Sequence, residues 1–464
     1  MMAVMQAYRF ALDPSPAQAR DLQRHAGAAR YAFNWALAAV KANIGQRVAE
    51  RSYGVADQDL TPAVGWNLPA LRRAWNQAKP AAAPWWPQCS KEAFNTGLDA
   101  MARALRNWAD SKSGKRQGKR VGFPRFKSKR NTTPSTRFTT GVIRVEADRH
   151  HVTLPRLGTI KTHESTRKLA RRLEAGTARI LSATVRYQAG RWFCSFTVEV
   201  TRPQRRPARP YEVIGVDLGV KSLAVLSNGH VIDNPRHLVA GLRRLRRLSR
   251  RAARQIGPHD TKANVRRTAS KNWADTRRAL GRAHARVSNL RRDSLHKLTT
   301  TLAATYGTIV IEDLNVAGMA KNRLLARAIH DAGFGEIRRQ LDYKTRWHGG
   351  TLIVASRWFP SSKTCSDCGA TKPKLRLSER VYTCENCGLV LDRDLNAARN
   401  LAALAAQHNV AGSGPETSNA RRANQKTPSV GQVALKREPG TATADQTGTV
   451  HAQARTASHG ISQD

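Results

Sequence analysis

The chain is short of acids, of aromatic residues and of long apolar runs, and each shortage narrows what it can be. Asp and Glu number 33 against 79 Lys and Arg, which leaves a net charge of +46. No stretch approaches the ~20 apolar residues that a bilayer-spanning helix needs, so no membrane-spanning helix is expected and a membrane surface is the weaker rival for the excess charge. The opening residues, MMAVMQAYRFALDPSP, lack a charged segment followed by an apolar one, so no secretory signal is expected. The expected location is the prokaryotic cytoplasm, at the nucleoid. Aromatic residues make up 6% and are unevenly placed. None lies beyond residue 408, where Gly, Ser, Thr, Ala and Gln dominate. That tail, 408–464, cannot bury enough surface to offset its ordering entropy and is expected to be disordered.

Charge is what the chain has in excess. A domain this basic repels itself unless a polyanion neutralises it. Nucleic acid is the obvious polyanion, because each phosphate contact releases condensed counterions. The densest run is SKSGKRQGKRVGFPRFKSKR, residues 111–130, with Phe123 and Phe126 among its cations. It lies between patterned segments, so Lys115, Arg116, Lys119, Arg120, Arg125, Lys127, Lys129 and Arg130 read as a phosphate-gripping loop rather than idle surface.

Patterning divides the rest. Residues 4–12 read as a strand. Ser15-Pro16 with Gln18 makes a capping box that opens a helix. Further helices are expected over Leu68–Trp75 and Lys91–Ala109, in a region with six of the ten tryptophans. Most of these read as core, with one or two free to stack on bases. Residues 136–205 alternate as strands do and suggest a small β-barrel. After a Pro/Arg linker at 202–211, EVIGVDLGV is a buried strand, and KSLAVLSNGHVID is a hairpin turning at Asn228-Gly229. Two Arg-rich helices follow near 237–256 and 262–304, with Leu280, Ala283, Val287 and Leu290 spaced as one seam. YGTIVIEDL and TLIVAS are strands on either side of a helix near 334–347, and DRDLNAARNLAALAAQ is a helix.

Three acids stand out. Asp217 and Glu312 each end a buried apolar strand, where an ionised carboxylate is costly unless something positive holds it. Asp394 lies four residues before Ala398, on the same helical face. An antiparallel three-strand start followed by strands added through helices is the RNase H-like order. That fold brings acids in these places together. Clustered carboxylates suit Mg²⁺ or Mn²⁺, hard cations that take oxygen ligands, and a pair of such ions can promote phosphodiester cleavage. The plainer alternative is that all three merely cap elements. Asp392 is two residues from Asp394 and points to a different face, so it reads as the helix N-cap. Glu385, Asp313 and Glu336 are less well placed.

Of six cysteines, Cys89 and Cys194 stand alone. Cys365-x₂-Cys368 and Cys384-x₂-Cys387 flank fifteen residues, and a glycine follows each pair (Gly369, Gly388). In a cytosolic chain this is the pattern of a closed, structural Zn²⁺ site. It lies between the last strand and the helix that carries Asp394.

Together these motifs resemble the TnpB family of transposon-encoded RNA-guided DNA endonucleases, ancestral to type V CRISPR effectors. The resemblance is carried by GVDLGVKSLAVLSNG, IVIEDLNVAGM, the four-Cys knuckle, CGLVLDRDLNAARN, and the N-terminal YRFALDPSPAQ and VGFPRFKSKR segments. It implies a multidomain α/β protein: an RNase H-like RuvC nuclease core with an inserted Cys₄ zinc ribbon, a helical recognition domain and a β-barrel wedge domain. The corresponding spans are 1–12 (first wedge strand), 13–112 (recognition), 113–205 (wedge), 206–360 (RuvC-like), 361–391 (ribbon) and 392–407 (final helix). The resemblance assigns the metal-binding acids to Asp217, Glu312 and Asp394. It further implies a guide RNA from the transposon end, a short motif beside the target, and cleavage of double-stranded DNA. A strand-transfer transposase and an RNA-guided repressor without cleavage are the competing readings.

Replacing Lys115, Arg116, Lys119 and Arg120 with Gln should lower the slope of log affinity against log salt by about 2 or more, since each duplex phosphate contact contributes about 0.9. An unaltered slope in a nucleic-acid binding titration would assign the loop to solvent.

Overall fold

The structure is a computed structural model describing residues 2–411, except 130, 204, 256–258, 261–264, 267–269 and 377; only the backbone is described at 2, 259–260, 265–266 and 407–411. The expected disorder of the tail and the role of Arg130 lie outside the described residues. In chain order the first elements are β1 (Met2–Asp13), α1 (Pro16–Ser52), α2 (Leu68–Ala82), α3 (Lys91–Lys112), β2 (Ser135–Phe138), β3 (Arg144–Val145), β4 (His151–Leu154), β5 (Gly158–Thr162), α4 (Arg167–Glu174), β6 (Ala178–Gln188) and β7 (Arg191–Arg202). Then come β8 (Arg209–Asp217), β9 (Ser222–Leu226), β10 (Val231–Asp233), α5 (His237–Gln255), β11 (His259–Asp260), β12 (Val265–Arg266), α6 (Lys271–Thr305) and β13 (Tyr306–Glu312). The last described elements are α7 (Val316–Met319), α8 (Ala326–Ala332), α9 (Phe334–Trp347), β14 (Thr351–Ala355), β15 (Val381–Thr383), β16 (Val390–Asp392) and α10 (Arg393–Ala411). No helix among the described residues is long and apolar enough to cross a membrane.

The chain forms two compact units. One comprises 1–208, 235–305 and 316–350; the other comprises 209–234, 306–315 and 351 onward. In the first, seven strands pair in the order β2-β6-β7-β1-β5-β4-β3. β1 spans two stretches of this sheet: Met2–Ala11 pairs with β7, and Leu12 and Asp13 pair with β5. The sheet ends at β2 and β3, so the closed barrel expected from the strand pattern is not formed among the described residues. The physical reason is length. β2 has four residues and β3 two, too few to span the remaining gap with a ladder. Phe138, Val152, Ile160, Phe196 and Val198 fill its core.

The helices of this unit follow their caps. The Ser15 hydroxyl accepts from the Gln18 N–H, and the Gln18 side chain accepts from the Ser15 N–H, which closes the capping box. α1 then runs unbroken for 37 residues. Trp75 is buried between α1 and α3, with Trp35, Trp85 and Trp86 packed against that core. Trp66 and Trp108 pack on each other. α5 pairs with α6 through Leu245 against Leu280, Ala283 and Val287. Leu290, expected in the same seam, is 42% exposed, although α5 reaches beyond it, where His237 meets the Ser294 hydroxyl.

The second unit is a five-stranded sheet in the order β10-β9-β8-β13-β14. β8, β9 and β10 are antiparallel neighbours, whereas β13 and β14 are added parallel to β8. Gly229 turns the β9–β10 hairpin at φ +88°. α10 lies directly on β8, and only glycine permits that approach. A Cβ on Gly215 would stand 1.9 Å from the Ala398 carbonyl oxygen and 2.6 Å from the Ala402 nitrogen. Val310, Ile353 and Val213 complete the sheet face that meets Leu401 and Ala405 of α10.

Gly215→Ala should therefore cost about 2 kcal/mol or more through overpacking and speed hydrogen exchange in β8 and α10. Gly335→Ala, where an added Cβ meets nothing within 4 Å, should leave exchange unchanged or slower. Equal, small effects of the two would remove the close approach from the account.

Candidate metal centres

Strand register decides where the acids point. Gly215 faces α10, and side chains alternate along a strand, so Asp217 faces α10 too. β13 pairs in parallel with β8, with Val310 opposite Gly215 and Ile311 opposite Val216. Glu312 is then level with Asp217 on the neighbouring strand, about 4.8 Å across, and on the same face. Asp394 lies one helical turn before Ala398, about 6 Å along α10. Asp217 lies about 6.6 Å along β8 from Gly215. The three acids thus meet at one end of the α10-covered face.

Their electrostatics agree with that placement. Burial, followed by the negative charges of Glu312 and Asp394, pushes the Asp217 carboxyl up to about 8. Arg393 opposes this shift. Its guanidinium lies 3.2 Å from Asp394 Oδ1, and both side chains are largely buried. The Ser361 hydroxyl donates to Glu312 Oε1. Asp392 does what a cap does: its Oδ1 accepts from the backbone N–H of Asp394 at 2.9 Å and of Leu395 at 3.1 Å. The acids set aside in the sequence are held by cations instead. Asp313 pairs with Arg357, Glu336 with Arg339, and Glu385 with Lys372. Arg339, first among several groups, holds Glu336 down to about 2.

The four knuckle cysteines converge. Their sulfurs all lie within 4.8 Å of one another, the one such set of three or more His, Cys, Asp or Glu donors among the described residues. Cys365 and Cys387 sulfurs are 3.6 Å apart, as are those of Cys368 and Cys384. The Asn386 amide donates to Cys368 Sγ at 3.4 Å and, with the Ala370 backbone N–H, holds that thiol down to about 6. β15 and β16 pair on either side of the second Cys pair in the chain, and Tyr382 is fully buried against Cys365 and Cys384. Cys89 and Cys194 are buried in the first unit, away from any such set.

The basic run is mostly exposed coil. Lys115, Arg116, Lys119, Arg120, Arg125 and Lys129 are exposed. Lys127 is different. Asn34 accepts from its backbone N–H and donates to its carbonyl, and the ammonium sits 3.6 Å from the centre of the Phe33 ring. Desolvation lowers its pKa, so it anchors the loop to α1.

Ser361, Arg393, Asn396 and Asn400 were not singled out in the sequence. The signal for Arg393 was its place between two Asp residues. The two asparagines had one too, since polar residues at i and i+4 in an otherwise apolar helical face need buried partners.

Family models match three stretches: "Probable transposase" (OrfB_IS605) at residues 195–323, "Cas12f1-like, TNB domain" at 334–401, and "Helix-turn-helix domain" at 1–47. The last stretch is here a strand and part of one continuous helix. A protein of Mycobacterium tuberculosis with the name "Putative RNA-guided DNA endonuclease" is 42% identical over 417 residues, 86% of each chain. InsQ of Escherichia coli K12, named in the same way, is 30% identical over 442 residues, 92% of this chain and 98% of its own. A Cas12f1–sgRNA–target DNA complex overlays at a TM-score of 0.46 and 13% identity, covering 86% of this chain and 99% of that one. That overlay is too loose to support an argument.

Between about pH 4, the range of an ordinary carboxylate, and about pH 8, the folded metal-free unit keeps a proton at Asp217 that the unfolded chain has released. The native state binds more protons there, so stability falls as pH rises through the window. Hydrogen-exchange protection of β8 and β13, in chelator, should decline from pH 5 to pH 8, and Asp217→Asn should flatten the decline. Protection that rises with pH would contradict the clustering of the three acids.

Proposed function

This chain belongs to the OrfB_IS605, TnpB-like family, and on that premise we propose that it is a transposon-encoded, RNA-guided DNA endonuclease cutting at Asp217, Glu312 and Asp394. The observation that supports the site most is the placement of all three acids on the α10 face, with Asp217 pushed up by the other two. A carboxyl held up in this way, despite the opposing Arg393 guanidinium, is short of positive charge, and hard oxygen donors suit Mg²⁺ or Mn²⁺. Such ions, when bound, would promote attack of water on a phosphodiester and stabilise the leaving oxygen.

The side chains carry the rest. Arg393 neutralises part of the cluster before an ion arrives and keeps Asp394 in place on the first turn of α10. Ser361 fixes one oxygen of Glu312. The second unit, on this reading, is the RuvC nuclease core. The knuckle is a zinc ribbon, with four soft sulfur donors in a closed set. The seven-stranded sheet is the wedge, and α1 to α3 form the recognition domain. Guide RNA pairing would supply target sequence while the protein reads duplex shape and a flanking motif. The exposed cations of 115–129 would grip phosphates. The work would be done in the prokaryotic cytoplasm, where the target DNA lies.

The family description as a transposase keeps strand transfer as the second reading. The two separate on RNA. Protein purified with its bound RNA should cut double-stranded DNA matching that RNA, and Asp217→Ala, Glu312→Ala and Asp394→Ala should each abolish cutting while RNA remains bound. Cleavage and joining of transposon ends by RNA-free protein would instead establish strand transfer.

A further inference from the structure

The root of the ribbon is attached to the acidic cluster by a short chain of buried polar contacts. Thr364 and Ser366 bracket Cys365. The Asn396 side chain spans them: its amide donates to the Thr364 carbonyl at 2.7 Å, and its oxygen accepts from the Ser366 N–H at 2.9 Å. Asn400, one turn further along α10, donates to the same Thr364 carbonyl at 2.6 Å and to the Ser361 carbonyl at 2.8 Å. The Ser361 hydroxyl in turn donates to Glu312. Asn396, Asn400 and Ser361 are 0%, 6% and 3% exposed. Asp394 lies on the turn of α10 from which Asn396 reaches the ribbon. Glu312, through Ser361, and Asp394, through the first turn of α10, therefore both hang from the loop that presents Cys365.

Apolar packing does not replace these contacts. The knuckle's own core is Cys365, Tyr382 and Cys384 with Ala370, Leu375 and Leu389 against them, too small to hold its shape without a metal. If the loop relaxes, two buried amides lose their acceptors. A buried donor left unpaired costs about 1–3 kcal/mol, enough for the first turn of α10 to shift with it.

We propose that Ser361, Asn396 and Asn400 are positioning residues that link the two metal centres, so that zinc on the four cysteines raises the affinity of Asp217, Glu312 and Asp394 for a divalent cation. This rests on the reading of those acids as a cation site.

The test is Mn²⁺ binding to the full chain, followed by electron paramagnetic resonance, with Asp217→Ala as background and zinc content measured on each sample. Removing zinc from the parent protein should weaken Mn²⁺ binding about tenfold, the scale on which partners behind metal ligands act. Asn400→Ala and Ser361→Ala should weaken it at full zinc occupancy, and Ser361→Thr, which keeps the hydroxyl, should restore it. In the Asn396→Ala/Asn400→Ala variant, zinc removal should change little. Mn²⁺ affinity that ignores zinc in the parent protein, or a Ser361→Thr variant as weak as Ser361→Ala, overturns the proposal. Absence of any Mn²⁺ signal above the Asp217→Ala background would instead overturn the reading of the acids themselves.

Discussion

Three carboxylates held on one face of a sheet repel one another, and everything else in the second unit works to keep them there. Separately each acid would rather face water, since a buried ionised carboxylate costs several kcal/mol unless it is paired. The fold prevents that escape. Gly215 lets α10 press onto β8, parallel pairing sets Glu312 level with Asp217, and Arg393 supplies one cation for the three. The remaining strain shows in Asp217, which keeps its proton to about pH 8. A site built this way is one that a multivalent cation stabilises.

The two units divide the labour of charge. Nearly half of the excess positive charge lies on α5, α6 and the run after α3, all in the first unit. A polyanion drawn to those surfaces by counterion release brings its phosphates to a protein whose concentrated negative charge lies at the cation site.

Much of this was legible from residues alone. The strands carrying Asp217 and Glu312 announced themselves by unbroken apolar runs, and the Ser15 capping box and the Asn-Gly hairpin by local chemistry. Asp392 was separable from Asp394 because residues two apart on a helix point to different faces. What stayed hidden depended on distance in sequence. Closure of the first sheet could not be judged from strand pattern, since it turns on how many residues β2 and β3 contribute. The seam of α6 looked one residue longer than it is, because spacing along α6 does not say which way each side chain faces α5: Leu290 is exposed although α5 reaches Ser294. Lys127 looked like its cationic neighbours until Phe33 and Asn34, some ninety residues earlier, proved to hold it. The contacts of Ser361, Asn396 and Asn400 depend on the same kind of distant partner.

The central claim is that Asp217, Glu312 and Asp394 form one divalent-cation site. Its most direct measurement is an anomalous difference map from crystals of the protein soaked in Mn²⁺. The account predicts Mn²⁺ density among those three carboxylates, distinct from a zinc peak at the four sulfurs. Strong peaks elsewhere with none at the acids, at saturating Mn²⁺, would contradict it.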